Sequence, residues 1–333
     1  MDPAMLRAAR RLKAFSRRAF LGGAVGSALL ATDMFVTREV QSRRRQTVVL
    51  EMADDAARRR FPDASWVLFP GYKTSWEEGR IILAALHDSL SERGQLAAIG
   101  YSNLGLDIDE ILDALRVYVR QRRLRTLYFY GHSFGGMVAV EVASRLLAEN
   151  GPLVEVIVLD STPASKYDVL DQSWFDSVVF LYDLGIRIPS LVRGGYEFGE
   201  RVIHKNERTW TQILDQTLEQ LSPLAPSSVL IQAESQYIYD WDVTRFVGTL
   251  DRAEMAFIGN PGDQTVNYSS ARARWARYFP ENLVSSDLQT IGAFPAHASP
   301  EWSGIVYNNL LGRLLPQLLP LPRKVGGAGG AGR

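Results

Sequence analysis

Between residues 127 and 140 the chain reads Leu127-Tyr128-Phe129-Tyr130-Gly131-His132-Ser133-Phe134-Gly135-Gly136-Met137-Val138-Ala139-Val140. No other stretch narrows the choice of fold as far. The aromatic lead-in has strand composition, and Met137, Val138, Val140, Val142, Ala143, Leu146 and Leu147 follow at helical spacing. The turn between them must be tight, which forces Ser133 into a strained backbone conformation. A Cβ at Gly131 or Gly135 would crowd the crossing of strand and helix. Ser133 also stands at the helix N-terminus, where free N–H groups stabilise developing negative charge. A G-x-S-x-G pentapeptide alone is weak; this strand–turn–helix setting makes it informative.

The same rhythm extends outward. Strands are expected at 65–69, 96–101, 126–130 and 154–159, with helices at 76–93, 108–122 and 135–149. The helix at 108–122 is amphipathic, with Ile108, Ile111, Leu112, Leu115, Val117 and Val119 on its apolar positions. Such alternation implies right-handed βαβ units and a mostly parallel sheet. With 333 residues, 46% of them hydrophobic, the chain can bury one large core. Residues 46–62 are mixed and charged, a helix or linker leading into the fold. From 164 to 226 the strand rhythm stops and aromatics gather (Tyr167, Trp174, Phe175, Phe180, Tyr182, Tyr196, Phe198, Trp210), which reads as an inserted helical cap. Strand signals return at 229–233, 255–259 and 288–291, with a helix at 269–278. The core is thus 46–163 plus 227–323, and the Gly/Ala-rich tail, 324–333, is expected to be disordered.

Taken together, these features resemble the α/β-hydrolase superfamily over roughly residues 60–320, with Gly131–Gly136 similar to the nucleophile elbow of its esterases, lipases and thioesterases. The resemblance implies an eight-stranded, mostly parallel sheet with the cap after strand six. It also implies a triad in the chain order serine, acid, histidine, and an oxyanion hole using the loop after the third strand.

A serine hydroxyl needs a base. Of four histidines, His87 lies on an early helix, His132 is the variable residue of the elbow, and His204 falls in the cap. His297 remains, in a loop, Gly292–Pro300, that resembles the family's last histidine loop. Asp263, in Asn260-Pro261-Gly262-Asp263, resembles the family's acid turn and precedes His297 by one helix and one strand. Its rivals are Asp160, at the end of a strand, and Glu234, Asp240 and Asp242, after the strand expected at 229–233. The oxyanion hole is expected to use the N–H groups of Phe134 and Tyr72, since Pro70 of Pro70-Gly71-Tyr72 has none.

The N-terminus suggests location. Arg7, Arg10, Arg11, Lys13, Arg17 and Arg18 precede an apolar, small-residue stretch through Ala31, with no acid between Asp2 and Asp33. Ser16-Arg17-Arg18-Ala19-Phe20-Leu21 resembles a twin-arginine export signal. Residues 1–45 are therefore read as a signal recognised by that export machinery, or as an uncleaved anchor associating with the membrane through 19–36.

Other chemistries find little support. Formal net charge is zero, which gives no bias toward nucleic acid, and there is no cysteine for a disulfide or thiolate site. No metal-ligand cluster or phosphate loop appears, and no cofactor is expected. The expected function is hydrolysis of a small-molecule or lipid-like carboxylic ester or thioester with an apolar acyl or aryl group. The alternatives are a non-catalytic binding protein of the same fold and a membrane-tethered envelope protein.

Overall fold

A computed structural model describes residues 42–149, 151–170, 225–297 and 300–320, together with Glu39. Seven strands among them form one sheet: β1 (Val48–Glu51), β2 (Ala64–Phe69), β3 (Gln95–Gly100), β4 (Thr126–His132), β5 (Leu153–Asp160), β6 (Glu254–Gly259) and β7 (Leu283–Gln289). The spatial order is β1-β3-β2-β4-β5-β6-β7. Only the edge strand β1 runs antiparallel; every other pairing is parallel.

Helices cover both faces, as a parallel sheet requires. Helices α1 (Asp55–Arg60), α2 (Trp76–Ala85), α3 (His87–Leu90), α4 (Ile108–Arg122), α5 (Phe134–Ala148), α6 (Ser228–Asp240), α7 (Tyr268–Tyr278) and α8 (Pro300–Leu318) alternate with the strands. All six residues of β2 are buried, and they split by side: Val67 and Phe69 join α4, α5 and α7, whereas Trp66 and Leu68 join α2, α3 and α8. Helix α4 shows how sharply its ends are set. Asp107 caps the N-terminus by accepting from the Asp109 and Glu110 N–H groups, and Arg123 closes it at φ 55°.

The chain reverses direction across the sheet at β2, with β3 on one side and β4 on the other. Phe69 is opposite Gly131 there, so the loops after β2 and β4 rise side by side from the carboxyl edge. A site in this architecture sits at such a switch point.

Several expectations need correction. Residues 229–233 are not a strand but the first turns of α6, capped by Ser227, whose side chain accepts from the Leu230 N–H. A short apolar run has no periodicity to separate the two states, and the cap decided it. Residues 46–62 hold β1 as well as α1. The single helix expected at 76–93 is two, and the strand expected at 288–291 is the end of β7. Seven strands are present among the described residues. The cap, 164–226, falls mostly outside them, as do the N-terminal export signal and the tail from 324. None of the described helices is long and apolar enough to cross a membrane.

Candidate active site

Ser133 adopts φ 51°, ψ −124° between β4 and α5. This is a left-handed φ that a non-glycine residue tolerates only when its surroundings impose it. The surroundings do so sterically. A Cβ at Gly131 would lie 2.2 Å from Gly136 Cα, and one at Gly135 would lie 2.0 Å and 2.4 Å from the carbonyl oxygens of Phe69 and Pro70. At Gly136 it would meet Thr162 Oγ1 at 2.1 Å. Strand, helix and the loop after β2 therefore touch backbone to backbone. The Ser133 N–H donates to the Asp160 carbonyl at 2.7 Å and its carbonyl accepts from Gly136 at 3.0 Å, which fixes the turn from both sides.

From that turn Ser133 Oγ lies 3.0 Å from His297 Nε2, and His297 Nδ1 lies 2.7 Å from Asp263 Oδ2. The other Asp263 oxygen accepts from the Thr265 and Val266 N–H groups at 2.7 and 2.9 Å. With one oxygen held by backbone, the carboxylate presents the other to the imidazole. The Asp263 and His297 loops, which follow β6 and β7, are tied together: the Thr290 N–H donates to Gly259, and Asn260 Nδ2 donates to the Thr290 carbonyl. Residues 263 and 297 thus meet through the pairing of the two strands that carry them.

The rival acids lie elsewhere. Asp160 is fully buried and accepts from the Tyr130 hydroxyl at 2.9 Å, with His132 Nδ1 at 3.2 Å. Burial, followed by the charge of Asp160, pushes the Tyr130 hydroxyl well above its ordinary range. Asp240 is exposed and accepts from Gln236, and exposed Asp242 caps a short 3-10 helix (Val243–Phe246). Glu234 is buried in α6 and faces the loop after β2.

Phe134, whose N–H is expected to serve the oxyanion hole, opens α5, where a first-turn N–H has no acceptor inside the helix. Tyr72 lies in the neighbouring loop, which is held by polar contacts. The Tyr101 hydroxyl donates to the Pro70 carbonyl at 3.3 Å, and Thr74 N–H to the Gly71 carbonyl at 3.3 Å. Gly71 packs against the His132 ring, which a Cβ there would approach to 2.7 Å. The Tyr72 hydroxyl lies 2.8 Å from Ser235 Oγ, and the Lys73 N–H donates to Glu234 Oε2 at 3.1 Å. Sequence reading missed this support from α6, because nothing local in either segment announces a contact across 161 residues.

Residues 84–174 match the family model for the Thioesterase domain. The match takes in Ser133 and ends before Asp263 and His297. No curated protein matches the chain. Among solved structures, the chain is similar to a hydrolase from Oleispira antarctica, at 8% identity and a TM-score of 0.56, covering 84% of this chain and 97% of that one. It is also similar to a carboxylesterase study structure from Nitrososphaera gargenis (12%, TM-score 0.53, 82% and 94% covered) and to an esterase from Exiguobacterium antarcticum (14%, TM-score 0.52, 82% and 94% covered). The fold is that of the α/β-hydrolases. Its last-strand loop, acid turn and elbow converge on one edge of the sheet, in the chain order Ser133, Asp263, His297.

Proposed function

We propose that this chain is a serine hydrolase that cleaves a carboxylic ester or thioester with an apolar acyl or aryl group. The carrying observation is the hydrogen-bonded line from Ser133 through His297 to Asp263, with its nucleophile on a strained turn at a helix N-terminus. In the reaction His297 Nε2 takes the hydroxyl proton as Ser133 Oγ attacks the carbonyl carbon. Asp263 holds the ring in the tautomer that leaves Nε2 free to accept and stabilises the imidazolium. The Phe134 and Tyr72 N–H groups receive the developing oxyanion. Collapse returns the proton to the leaving alcohol or thiol and leaves an acyl-Ser133, and water activated by the same histidine releases the acid.

The Thioesterase-domain match over 84–174 supports acyl transfer. The apolar acyl side is supported by the aromatics of 164–226, the proposed cap, and by the rings around Phe134, which meets Tyr101 at 6.1 Å and Tyr237 at 5.7 Å. Residues 1–45 are proposed to direct export by the twin-arginine route or to anchor the chain. Mass spectrometry of the mature N-terminus separates those two fates.

The deciding assay is fluorophosphonate labelling of the purified protein, with hydrolysis of p-nitrophenyl and acyl-thioester substrates alongside. Labelling and turnover that vanish in Ser133→Ala and collapse in His297→Ala are expected. A folded wild type that takes no label and turns over neither substrate would overturn the reading in favour of a binding protein.

A further inference from the structure

Helix α6 carries a buried carboxyl that the triad does not use. Glu234 has no exposed surface, and its Oε1 has no hydrogen-bond partner among the described residues. Its Oε2 accepts from the Lys73 backbone N–H at 3.1 Å. The adjacent Ser235 donates to the Ile231 carbonyl within its own helix, so its hydrogen is committed and the Tyr72 hydroxyl donates to it at 2.8 Å. Two consecutive residues of one helix therefore grip two consecutive residues of the loop after β2.

That loop needs a grip. Lys73 sits at φ 61°, a left-handed conformation that costs a side-chain-bearing residue free energy. The helix is itself fixed, since the Ser227 N–H and hydroxyl both donate to Asn103, at 3.0 and 2.6 Å, in the loop after β3. Burying a carboxyl against a single backbone donor is unfavourable, so stability alone does not explain it.

We propose that Glu234 is a positioning residue for the oxyanion hole: by holding the Lys73 N–H it fixes the peptide that follows Tyr72 and so aims the Tyr72 N–H at the substrate carbonyl oxygen. The inference rests on the serine-hydrolase reading. Burial pushes the Glu234 carboxyl up to about 8, against the pull of the Lys73 N–H and amine, so near neutral pH it can act as an acceptor without bringing a charge beside the oxyanion. Tyr101 also faces it; its hydroxyl is raised well above its ordinary range, first by burial and then by Glu234, and stays neutral.

The test is steady-state hydrolysis of a p-nitrophenyl ester by the full chain, comparing wild type, Glu234→Leu and Glu234→Gln, with amide hydrogen exchange over residues 70–74. Loss of aim in one oxyanion donor should lower kcat about 10- to 100-fold in Glu234→Leu while KM moves less than about threefold. Exchange of the loop amides should accelerate in the same variant. Glutamine keeps an acceptor oxygen and should recover kcat to within about threefold, with protection restored. If Glu234→Leu does not fold, Glu234→Asp, too short to reach the Lys73 N–H, takes its place with an expected loss of about tenfold in kcat. An active wild type alongside a Leu or Asp variant of unchanged kcat would overturn the proposal and leave the hydrolase reading standing. So would a glutamine variant as impaired as the leucine one. An inactive wild type overturns both.

Discussion

The elbow and the loop after β2 touch backbone to backbone, yet they are held in place by opposite means. The elbow is locked by missing atoms: Gly131 and Gly135 let main chains pass where any Cβ would collide, and Gly136 leaves room for the Thr162 side chain. The loop is locked by added polar atoms from distant parts of the chain, namely Tyr101, Ser235 and Glu234. The first device is rigid because close packing has no lower-energy alternative. The second can be loosened one hydrogen bond at a time. On the proposed reading, the nucleophile is held fixed while the electrostatic support beside it is adjustable.

The largest break in that comparison is expected at Ser133, the proposed nucleophile. Ser133→Ala should reduce kcat about 10⁶-fold, and His297→Ala nearly as much, since members of a triad act as a unit. Asp263→Asn should lose about 10⁴-fold, because an amide favours the wrong tautomer at His297. Asp160→Asn is the control carboxylate. It contacts Tyr130 and His132 rather than His297, so a loss as large as that of Asp263→Asn would reassign the acid. Single-turnover acylation read on all four variants ranks them directly.

Next comes the steric lock. Gly135→Ala would place a methyl 2.0 Å from the Phe69 carbonyl oxygen, an overlap that neither backbone can relieve locally. We expect a loss of about 3 kcal/mol or more in denaturant unfolding, or failure to fold. Gly248→Ala should cost far less, about 1–2 kcal/mol, because its φ of 74° is strained but its Cβ position is open. Equal costs for the two would mean that backbone conformation, not contact, sets the elbow.

The same contrast explains what could be read from the sequence. Sterically enforced geometry leaves a local mark, so G-x-S-x-G between a strand and a helix pattern marks the tight turn that the structure shows at Ser133. The pairing of Asp263 with His297 is legible because each loop follows its own strand and because the two loops resemble known ones. The polar support of the loop left no such mark. Glu234 reads as a residue after a strand, because Val229-Leu230-Ile231 is apolar and short, and only the Ser227 cap shows the helix. Strand β1 was missed because four residues, Val48–Glu51, are too few for an alternation to stand out beside charged neighbours. The neighbourhood of Tyr72 and Phe134 is legible from sequence, but what holds Tyr72 is not.

The smallest expected effect concerns the adjustable side, and its sign follows from proton linkage. Glu234 in the folded chain binds its proton up to about pH 8, against an ordinary value of 4.5. Between those two values the folded state holds a proton that the unfolded state has lost, so stability falls as pH rises through that window and levels off above it. Below about pH 4.5 both states are protonated and the carboxyl contributes no pH dependence. Glu234→Gln abolishes this titration. Its melting temperature relative to wild type should therefore climb between pH 5 and pH 9, by an amount on the order of several degrees. A difference that stays flat across that range would mean that Glu234 ionises in the fold with little penalty, and a charged carboxylate would then face the oxyanion loop. Aim and charge would oppose each other there, and ester turnover in Glu234→Gln should then exceed that of wild type at high pH.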